Sequence, residues 1–199
     1  MRILIASGPT REKLDPVRYL SNYSTGTMGK ALVLAAKKKG HSVTWVSCPD
    51  QAESALELEK LLFKNLSKHD VLIMAAAVCD VRPEKVSESK IKKGNLSSIR
   101  LVKNPDILAN LSKRKKEGQI FIGFGLESEN VLENGTQKLK KKNLDAILLQ
   151  KVTEKKTPFG DKKIDAVLLK NDGTQVKFRG RSKPQIAERI LEEIERFLE

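Results

Sequence analysis

A polar loop between Ser7 and Gly29 carries the residue types of an anion-binding site. It follows a short apolar run, residues 3–6, and leads into a run rich in helix formers, residues 31–36. A strand, a glycine-bearing loop and a helix N-terminus present free backbone N–H groups and the positive end of the helix dipole to a ligand. Loops of about this length in compact α/β domains are usually functional or disordered. The loop holds the specific polar side chains Arg11, Asp15, Arg18, Asn22, Ser24 and Thr25.

Apolar runs that suit buried strands alternate along the chain with runs that suit helices. Strands are predicted at Arg2–Ala6, Ser42–Ser47, Val71–Ala76, Ile120–Phe124 and Asp145–Leu149, and helices at Thr27–Lys39, Ala52–Ser67, Asp106–Lys116 and Glu129–Lys142. Near-continuous apolar strands separated by helices predict a mainly parallel sheet with helices on both faces, a doubly wound, Rossmann-like α/β fold. Ligands of such sheets bind outside the carboxyl ends of the strands, where most of the polar motifs fall.

Two regions break the alternation. Residues 82–103 form a long basic excursion with one short strand candidate, Ser98–Val102. Later, alternating patterns at Asp165–Leu169 and Gln175–Phe178 flank an Asn-Asp-Gly turn and predict a β-hairpin. A final amphipathic helix is expected over Lys183–Leu198.

The pattern therefore predicts a single domain over residues 1–199, with a C-terminal hairpin subregion at residues 150–180. A two-stranded hairpin is too small to be stable alone, so this subregion needs contacts with another part of the structure.

Composition narrows the classes of function. The net charge of +13 suits nucleic acid or small polyanions. Lysines spread along the chain without clustered arginines and aromatics make nucleic acid the less favoured ligand. Cys48 and Cys79 have no CxxC partner, and His41 and His69 lie in no metal-ligand motif, so no metal site is predicted. No apolar run approaches a membrane span and no signal peptide is evident, so a cytoplasmic protein is expected.

Several long motifs follow one another along the chain. They are Gly8-Pro9-Thr10-Arg11-Glu12, Asp15-Pro16-Val17-Arg18, residues 21–29, residues 75–83, Lys90-Ile91-Lys92-Lys93, residues 103–108 and Gly123-Phe124. In order and approximate spacing they resemble the phosphopantothenate–cysteine ligases, the second enzyme of coenzyme A synthesis from pantothenate. The resemblance covers essentially the whole chain and weakens after about Leu148.

The resemblance implies an acid–amino-acid ligase that joins 4′-phosphopantothenate to L-cysteine through an acyl-cytidylate intermediate. Bacterial-style motifs favour CTP over ATP. Mg²⁺ is expected because the two anionic substrates repel each other, and it should bind through phosphate oxygens and water rather than a protein cage. No protein nucleophile is needed, which suits a site poor in His and Cys.

Two residues are predicted to be catalytic by the resemblance. Asn22 would hold the substrate carboxylate and the acyl-nucleotide, although an Asx-turn before the helix would also explain it. Lys90 would contact the nucleotide phosphates and the intermediate, closing over the site from its long excursion. Arg18 is assigned to the substrate, where it could pair a phosphate in bidentate fashion, or it is an ordinary surface arginine.

The resemblance also predicts which residues contact the nucleotide. These are Gly8, Ser24, Thr25, Gly26, Ala75, Ala76, Asp80, Pro105, Asp106, Ile107, Leu108, Phe124, Lys138 and Lys142. Asn104 before the third predicted helix is explained as a helix N-cap. Lys138 and Lys142 are four residues apart and could grip one triphosphate from one helix face, or they simply belong to a lysine-rich helix end.

The chain departs from the family pattern in places. Leu149-Gln150-Lys151 stands where Ala-Asn-Asp is usual, and Gly125-Leu126-Glu127-Ser128 follows Phe124 where Ala-Ala-Glu-Thr is common. The first departure falls where relatives build their dimer. The resemblance implies a homodimer in which the region matching residues 150–180 crosses to the partner, so this subregion is also the candidate dimerisation element. A flavin-dependent decarboxylase is expected on a separate chain.

A dinucleotide-dependent reductase on the same core is the alternative enzyme. It would require a G-x-G-x-x-G turn and an acidic residue at the end of the second strand. The chain has neither there, since that strand ends Trp45-Val46-Ser47-Cys48.

Overall fold

A seven-stranded sheet forms the centre of the molecule. The structure is a computed structural model that describes residues 1–95, 97–153 and 157–197. In chain order its strands and helices are β1 (Arg2–Pro9), β2 (Arg11–Lys13), β3 (Tyr19–Ser21), α1 (Thr27–Lys38), β4 (Ser42–Ser47), α2 (Ala55–Leu66), β5 (Val71–Ala77), β6 (Val81–Pro83), β7 (Leu101–Lys103), α3 (Ile107–Ser112), β8 (Ile120–Glu127), α4 (Val131–Lys141), β9 (Ala146–Lys151), β10 (Ile164–Lys170), β11 (Gln175–Arg181) and α5 (Lys183–Arg196).

The strand order in the central sheet is β11-β10-β9-β8-β5-β1-β4. The five strands from β9 to β4 run parallel, while β10 and β11 are antiparallel to their neighbours. After β1 the chain forms β4 on one side of β1, and then crosses to form β5 on the other side of β1. The order thus reverses between β1 and β5, and ligands of doubly wound sheets bind at such a switch point.

Alternate residues of the strands feed two hydrophobic cores, one on each face of the sheet. On one face Ile5, Ile73 and Ile122 pack with α1 and α5. On the other face Phe121 and Ile147 pack with α2, α3 and α4. The predicted doubly wound α/β fold with helices on both faces is therefore confirmed.

The predicted hairpin is present as β10 and β11. It is joined to the central sheet through antiparallel pairing of β10 with β9, so it adds two strands to the sheet and contributes to the core that contains α1 and α5. Residues 154–156 of the predicted 150–180 subregion lie outside the described residues, as does Leu198 at the end of the last predicted helix.

The strand candidate Ser98–Val102 is present as β7, which begins later, at Leu101, and pairs with β6. One local prediction was wrong. Asn104 is not the N-cap of α3: the side chain of Asp106 accepts the Ala109 N–H at 3.2 Å instead. The small antiparallel pair of β2 and β3 within the first loop was not predicted, because neither segment has an apolar run.

The described part of the chain contains no helix that is long and apolar enough to cross a bilayer.

Candidate functional site

A cavity of about 530 Å³ lies at the carboxyl ends of the parallel strands. Its walls come from the loop that leads into α1, the end of β5 and the loop after it, the entry to α3, the end of β8, and the chain on both sides of the hairpin. The lining residues are Asn22–Gly29, Met74–Asp80, Asn104–Leu108, Phe124, Leu126, Lys142, Gln150, Pro158, Phe159 and Lys183. The fold therefore builds the cavity at the predicted edge of the sheet.

The first wall is the start of α1. Gly26 is its N-cap in the left-handed conformation, with φ of 71°, and no side chain caps the helix. A Cβ on Gly29 would lie 1.9 Å from the Cβ of Ser7, so only glycine lets this first turn pack directly on β1. The uncapped N–H groups of the helix start are thereby held at the cavity wall, in the arrangement that favours an anion.

Hydroxyl groups accompany these backbone groups. The Gly26 N–H donates to Ser24 Oγ at 3.4 Å. Thr25 Oγ1 lies 2.8 Å from Thr27 Oγ1 and accepts the N–H of Gly160 at 3.3 Å. The loop formed by residues 157–163 is thus fastened to the glycine-bearing loop. Phe159 adds a ring contact with Tyr23, their centroids 6.2 Å apart.

The second wall follows β5 and is held by three polar side chains. Asn22 donates from Nδ2 to the Ala77 carbonyl at 3.1 Å. Thr10 accepts the Cys79 N–H at Oγ1, at 3.0 Å. Asn104 donates from Nδ2 to the Cys79 carbonyl at 2.9 Å. Asn22 Nδ2 also makes a long contact of 3.9 Å with Cys79 Sγ. This network fixes the loop against the glycine-bearing loop.

The small side chains of Ala75 and Ala76 let a planar group approach the backbone of this wall. Both are half-buried, and Asp80 at the end of the loop is exposed. The register of β5 against β1 sets Ala75 beside Ser7 and Ala76 beside Gly8. The end of β5 is therefore lined by small groups of β5 itself and of its neighbour β1.

The third wall joins α3 to α4. Lys142 forms an ion pair with Asp106, with Nζ 3.1 Å from Oδ1, and the same carboxylate caps α3. Phe124, Ile107 and Leu108 supply apolar surface beside this pair. One cation and several apolar groups thus border the nucleotide side that the sequence predicts.

Four of the predicted site residues do not line this cavity. Gly8 is buried beneath it, where a Cβ would lie 2.1 Å from the Cys48 carbonyl oxygen. Lys138 lies beyond Lys142 and pairs with Glu127. Lys90 is exposed on its excursion. Arg18 is engaged elsewhere. The other predicted residues are brought together in the walls.

Arg18 and Asp15 form a clamp on the Lys90 segment. The guanidinium of Arg18 contacts Asp15 at 2.5 Å and donates to the Ile91 carbonyl at 2.7 Å. Asp15 in turn accepts the Ile91 N–H at 3.1 Å. The hydrogen bonds from Arg18, opposed by burial and aided by backbone N–H donors, hold the pKa of the Asp15 carboxyl well below its ordinary value. The residue next to Lys90 is therefore fixed at both its N–H and its carbonyl.

Two polar residues in the wall were missed. Gln150 at the end of β9 is 8% exposed, and its Nε2 has no hydrogen-bond partner in the described part of the chain. Lys183, the first residue of α5, is 5% exposed. The helix start itself was predicted at Lys183, and a Ser-x-x-Gln capping box at residues 182–185 forms it, but no sequence signal marks a lysine there as buried.

The fold and the site together define a class: an α/β domain with a doubly wound sheet and a ligand-binding cavity at its switch point. Within that class, residues 1–198 match the family described as the DNA/pantothenate metabolism flavoprotein C-terminal domain. The chain belongs to this family.

Relatives and one solved structure agree with this assignment. The chain is 38% identical over 191 residues to the coenzyme A biosynthesis bifunctional protein CoaBC of Escherichia coli strain K12, covering 88% of this chain and 47% of that protein. It is 36% identical to a cysteine/cysteine sulfinic acid decarboxylase from an unknown prokaryotic organism, covering 97% and 57%. The crystal structure of a CoaBC C-terminal domain superposes with a TM-score of 0.80 at 32% identity, covering 99% of this chain and 95% of that one.

The chain therefore spans about half the length of the curated relatives it matches. The similarity places the whole of residues 1–198 in the C-terminal domain family.

Proposed function

We propose that this chain catalyses the CTP-dependent ligation of 4′-phosphopantothenate with L-cysteine in coenzyme A biosynthesis. Membership of the family and the likeness to bifunctional coenzyme A biosynthesis proteins support the pathway. One structural observation carries the reaction. Asn22 lies in the same cavity as the uncapped start of α1 and the alanines after β5, so an amide donor, an anion site and a surface for a planar group meet there.

The ligation requires two displacements. In the first, a carboxylate oxygen of 4′-phosphopantothenate attacks the α-phosphorus of CTP, the bond to the bridging oxygen breaks, and pyrophosphate leaves. In the second, the amine of cysteine attacks the acyl carbon, the bond to the nucleotide oxygen breaks, CMP leaves, and the amine loses a proton. Neither step needs a protein nucleophile. The protein contributes orientation and stabilisation of the charge that develops on oxygen.

The residues of the walls suit these tasks. Asn22 Nδ2 donates to the Ala77 carbonyl and makes only a long contact with Cys79 Sγ, so a carboxylate or acyl oxygen can replace the sulfur as the acceptor of its second hydrogen. The start of α1 offers backbone N–H groups to phosphate oxygens. Lys142 adds a cation on the far wall, and Lys90 is held close to the Asp15–Arg18 clamp. Mg²⁺ would neutralise the triphosphate through phosphate oxygens and water.

We further propose a cytoplasmic homodimer, with the decarboxylation of the product assigned to a flavin-dependent enzyme outside residues 1–199. The outer edge of the sheet, β11, pairs only with β10 in the described part of the chain. Light scattering at micromolar concentration should give a mass of about twice 22.2 kDa. A monodisperse monomer would remove the dimer from the proposal and leave the ligase intact.

Pyrophosphate release tests the reaction. The protein is incubated with Mg²⁺ and either CTP or ATP, with 4′-phosphopantothenate, with cysteine, or with both. We expect release that depends on 4′-phosphopantothenate, full turnover only when cysteine is present, and CTP to be the better nucleotide. Absence of release with both nucleotides would refute the ligase. Faster turnover with ATP would overturn only the choice of CTP.

A further inference from the structure

Lys183 is a buried ammonium group in the cavity wall. Only 5% of the residue is exposed. Its Nζ donates one hydrogen bond, to the Gly160 carbonyl at 2.5 Å. None of the carboxylates in the described ranges lies within ion-pair distance of this Nζ. Two of its three N–H donors therefore have no protein partner in those ranges.

This placement is unfavourable in the protein alone. Burying an ammonium group without an opposite charge costs free energy, and burial indeed lowers the pKa of Lys183, opposed by the more distant charge of Asp161. Lys183 is also the first residue of α5, whose N-terminus carries the positive end of the helix dipole. An uncharged side chain of similar length, such as methionine, would avoid both costs.

The surroundings indicate what compensates for these costs. The Gly160 that accepts from Lys183 also donates to Thr25 Oγ1, at 3.3 Å. Lys183 is thus connected through a single residue to the loop that forms the anion-binding wall. In the same cavity Gln150 presents a buried amide nitrogen that also has no partner in the described chain. Both groups are donors, so this part of the cavity calls for a ligand with oxygen acceptors.

We propose that Lys183 is a substrate-binding residue that contacts a phosphate oxygen of a phosphorylated substrate in this cavity. The inference rests on the proposed function, in which both CTP and 4′-phosphopantothenate carry phosphate. A phosphate at Nζ neutralises the buried charge and accepts the remaining N–H donors. Lys183 is distinct from Lys90 and Lys142, which lie on other segments and are more exposed.

Titration calorimetry of Lys183→Met against the parent protein tests this assignment. The ligands are CTP, 4′-phosphopantothenate, unphosphorylated pantothenate and inorganic tripolyphosphate. We expect the variant to lose about ten- to hundredfold in affinity for CTP or for 4′-phosphopantothenate, and for tripolyphosphate if the triphosphate is the partner. Which ligand loses affinity identifies the source of the phosphate. Affinity for pantothenate should be unchanged.

Matched variants distinguish the loss of a phosphate contact from a general loss of positive charge and from a loss of stability. Lys162→Met and Lys163→Met remove the same charge from exposed positions on the neighbouring loop and should change affinity less than about twofold. Lys183→Gln keeps a donor for the Gly160 carbonyl without the charge, so it should fold like the parent and still lose affinity. Thermal unfolding of the free proteins should show that neither Lys183 variant is less stable than the parent.

The outcomes are distinguishable. Affinities of both Lys183 variants within twofold of the parent for all phosphorylated ligands would overturn the assignment, as would failure of both variants to fold. If the parent binds tripolyphosphate through Lys183 but releases no pyrophosphate with either nucleotide, the ligase proposal fails and the phosphate site stands. If the parent turns over normally and Lys183→Met does too, the ligase stands and the phosphate site fails.

Discussion

The two sides of the cavity differ in how their polar groups are paired. On the side of β1 and β5, polar side chains are hydrogen-bonded to the backbone of the loop after β5. They are Thr10, Asn22 and Asn104. On the side of β9 and α5, Gln150 has a buried nitrogen without a partner in the described chain. Lys183 Nζ has one hydrogen-bond partner there, the Gly160 carbonyl. If the cavity has the proposed function, the first side is preorganised for the reaction, and a ligand completes the hydrogen bonds of the second side.

The largest effect should come from the preorganised side. Asn22→Ala removes a donor that is already aimed and supported by the Ala77 carbonyl. Loss of one such donor typically costs about 2.7–4 kcal/mol of transition-state stabilisation, on the order of a hundredfold or more in turnover. Single-turnover kinetics should show this loss, while calorimetry should find CTP affinity within about threefold of the parent.

Ser24→Ala is the matched control in the same loop, since its Oγ accepts only a long bond of 3.4 Å from Gly26. It should leave turnover much closer to the parent value. Equal losses for both variants would show that the loop as a whole, rather than the Asn22 amide, supports the reaction.

The next largest effect should come from the clamp on the Lys90 segment. Asp15→Asn removes the charge that pairs with Arg18 and weakens the hydrogen bond that the Ile91 N–H donates to residue 15. A misplaced catalytic group can cost up to about a hundredfold, so we expect turnover to fall by about ten- to hundredfold. The measurement is steady-state pyrophosphate release. Lys90→Ala should lower turnover to a similar degree, and Lys92→Ala far less, because only Lys90 adjoins the clamped residue on its N-terminal side.

The same substitution predicts a pH dependence of stability. The pKa of Asp15 is lower in the folded protein than in the unfolded chain, so its contribution to stability is present above the unfolded value, about 3.9, and is lost as the pH falls toward the folded value. Asp15→Asn should therefore lower the unfolding temperature at pH 7, and the difference from the parent should shrink below about pH 4.

Asp70 provides the matched control. Hydrogen bonds from Arg2 lower the pKa of its carboxyl to about 2, but it precedes β5 at the opposite end of the sheet. Asp70→Asn should alter stability with pH in the same direction and leave turnover unchanged. A loss of turnover in Asp70→Asn would mean that general destabilisation explains the Asp15 result.

A smaller effect should distinguish two lysines of one helix end. Lys142 lines the cavity beside Asp106, whereas Lys138 is paired with Glu127 away from it. Lys142→Met should lower the affinity for CTP about three- to tenfold, and Lys138→Met should lower it less than about twofold. Calorimetry with CTP measures both. Equal losses would mean that the two lysines act on one triphosphate, as their spacing of four residues predicts.

The sequence predicted the strands and helices of the sheet because the pattern of apolar residues follows which positions are buried. Apolar runs such as 71–76 and 120–124 could only be strands of a covered sheet, and the helices between them were correct to within a few residues. The ends of the elements were less predictable. Asp106 rather than Asn104 caps α3, because the side chain of Asn104 donates to the Cys79 carbonyl instead.

Residues that the motifs name, such as Asn22, Ala75 and Phe124, line the cavity, and their contacts with substrates stay predictions. Lining residues were missed where the fold brings distant segments together. Gln150 and Lys183 border the same cavity from the ends of a strand and a helix that the motifs do not cover. Their burial depends on the antiparallel pairing of the predicted hairpin with β9, a contact between distant segments that no local pattern encodes.

The smallest effect, and the sharpest test of the unpaired side, concerns Gln150. Leaving its buried nitrogen without a partner costs about 1–3 kcal/mol, so Gln150→Leu, of similar size, should stabilise the free protein by about 1 kcal/mol. If a bound substrate supplies the missing acceptor, the same variant should raise the KM for 4′-phosphopantothenate a few-fold with little change in kcat. Chemical denaturation and initial-rate kinetics measure the two effects.

Gln119→Leu is the contrasting variant, because this equally buried glutamine is fully satisfied. Its Nε2 donates to the Leu66 and His69 carbonyls at 3.1 and 2.7 Å, and its Oε1 accepts the Lys116 N–H at 2.8 Å. Removing it strands three backbone groups, so it should destabilise the protein by about 1–3 kcal/mol. A destabilised Gln150→Leu would mean that its nitrogen is already paired in the free protein, and the contrast between the two sides of the cavity would be lost.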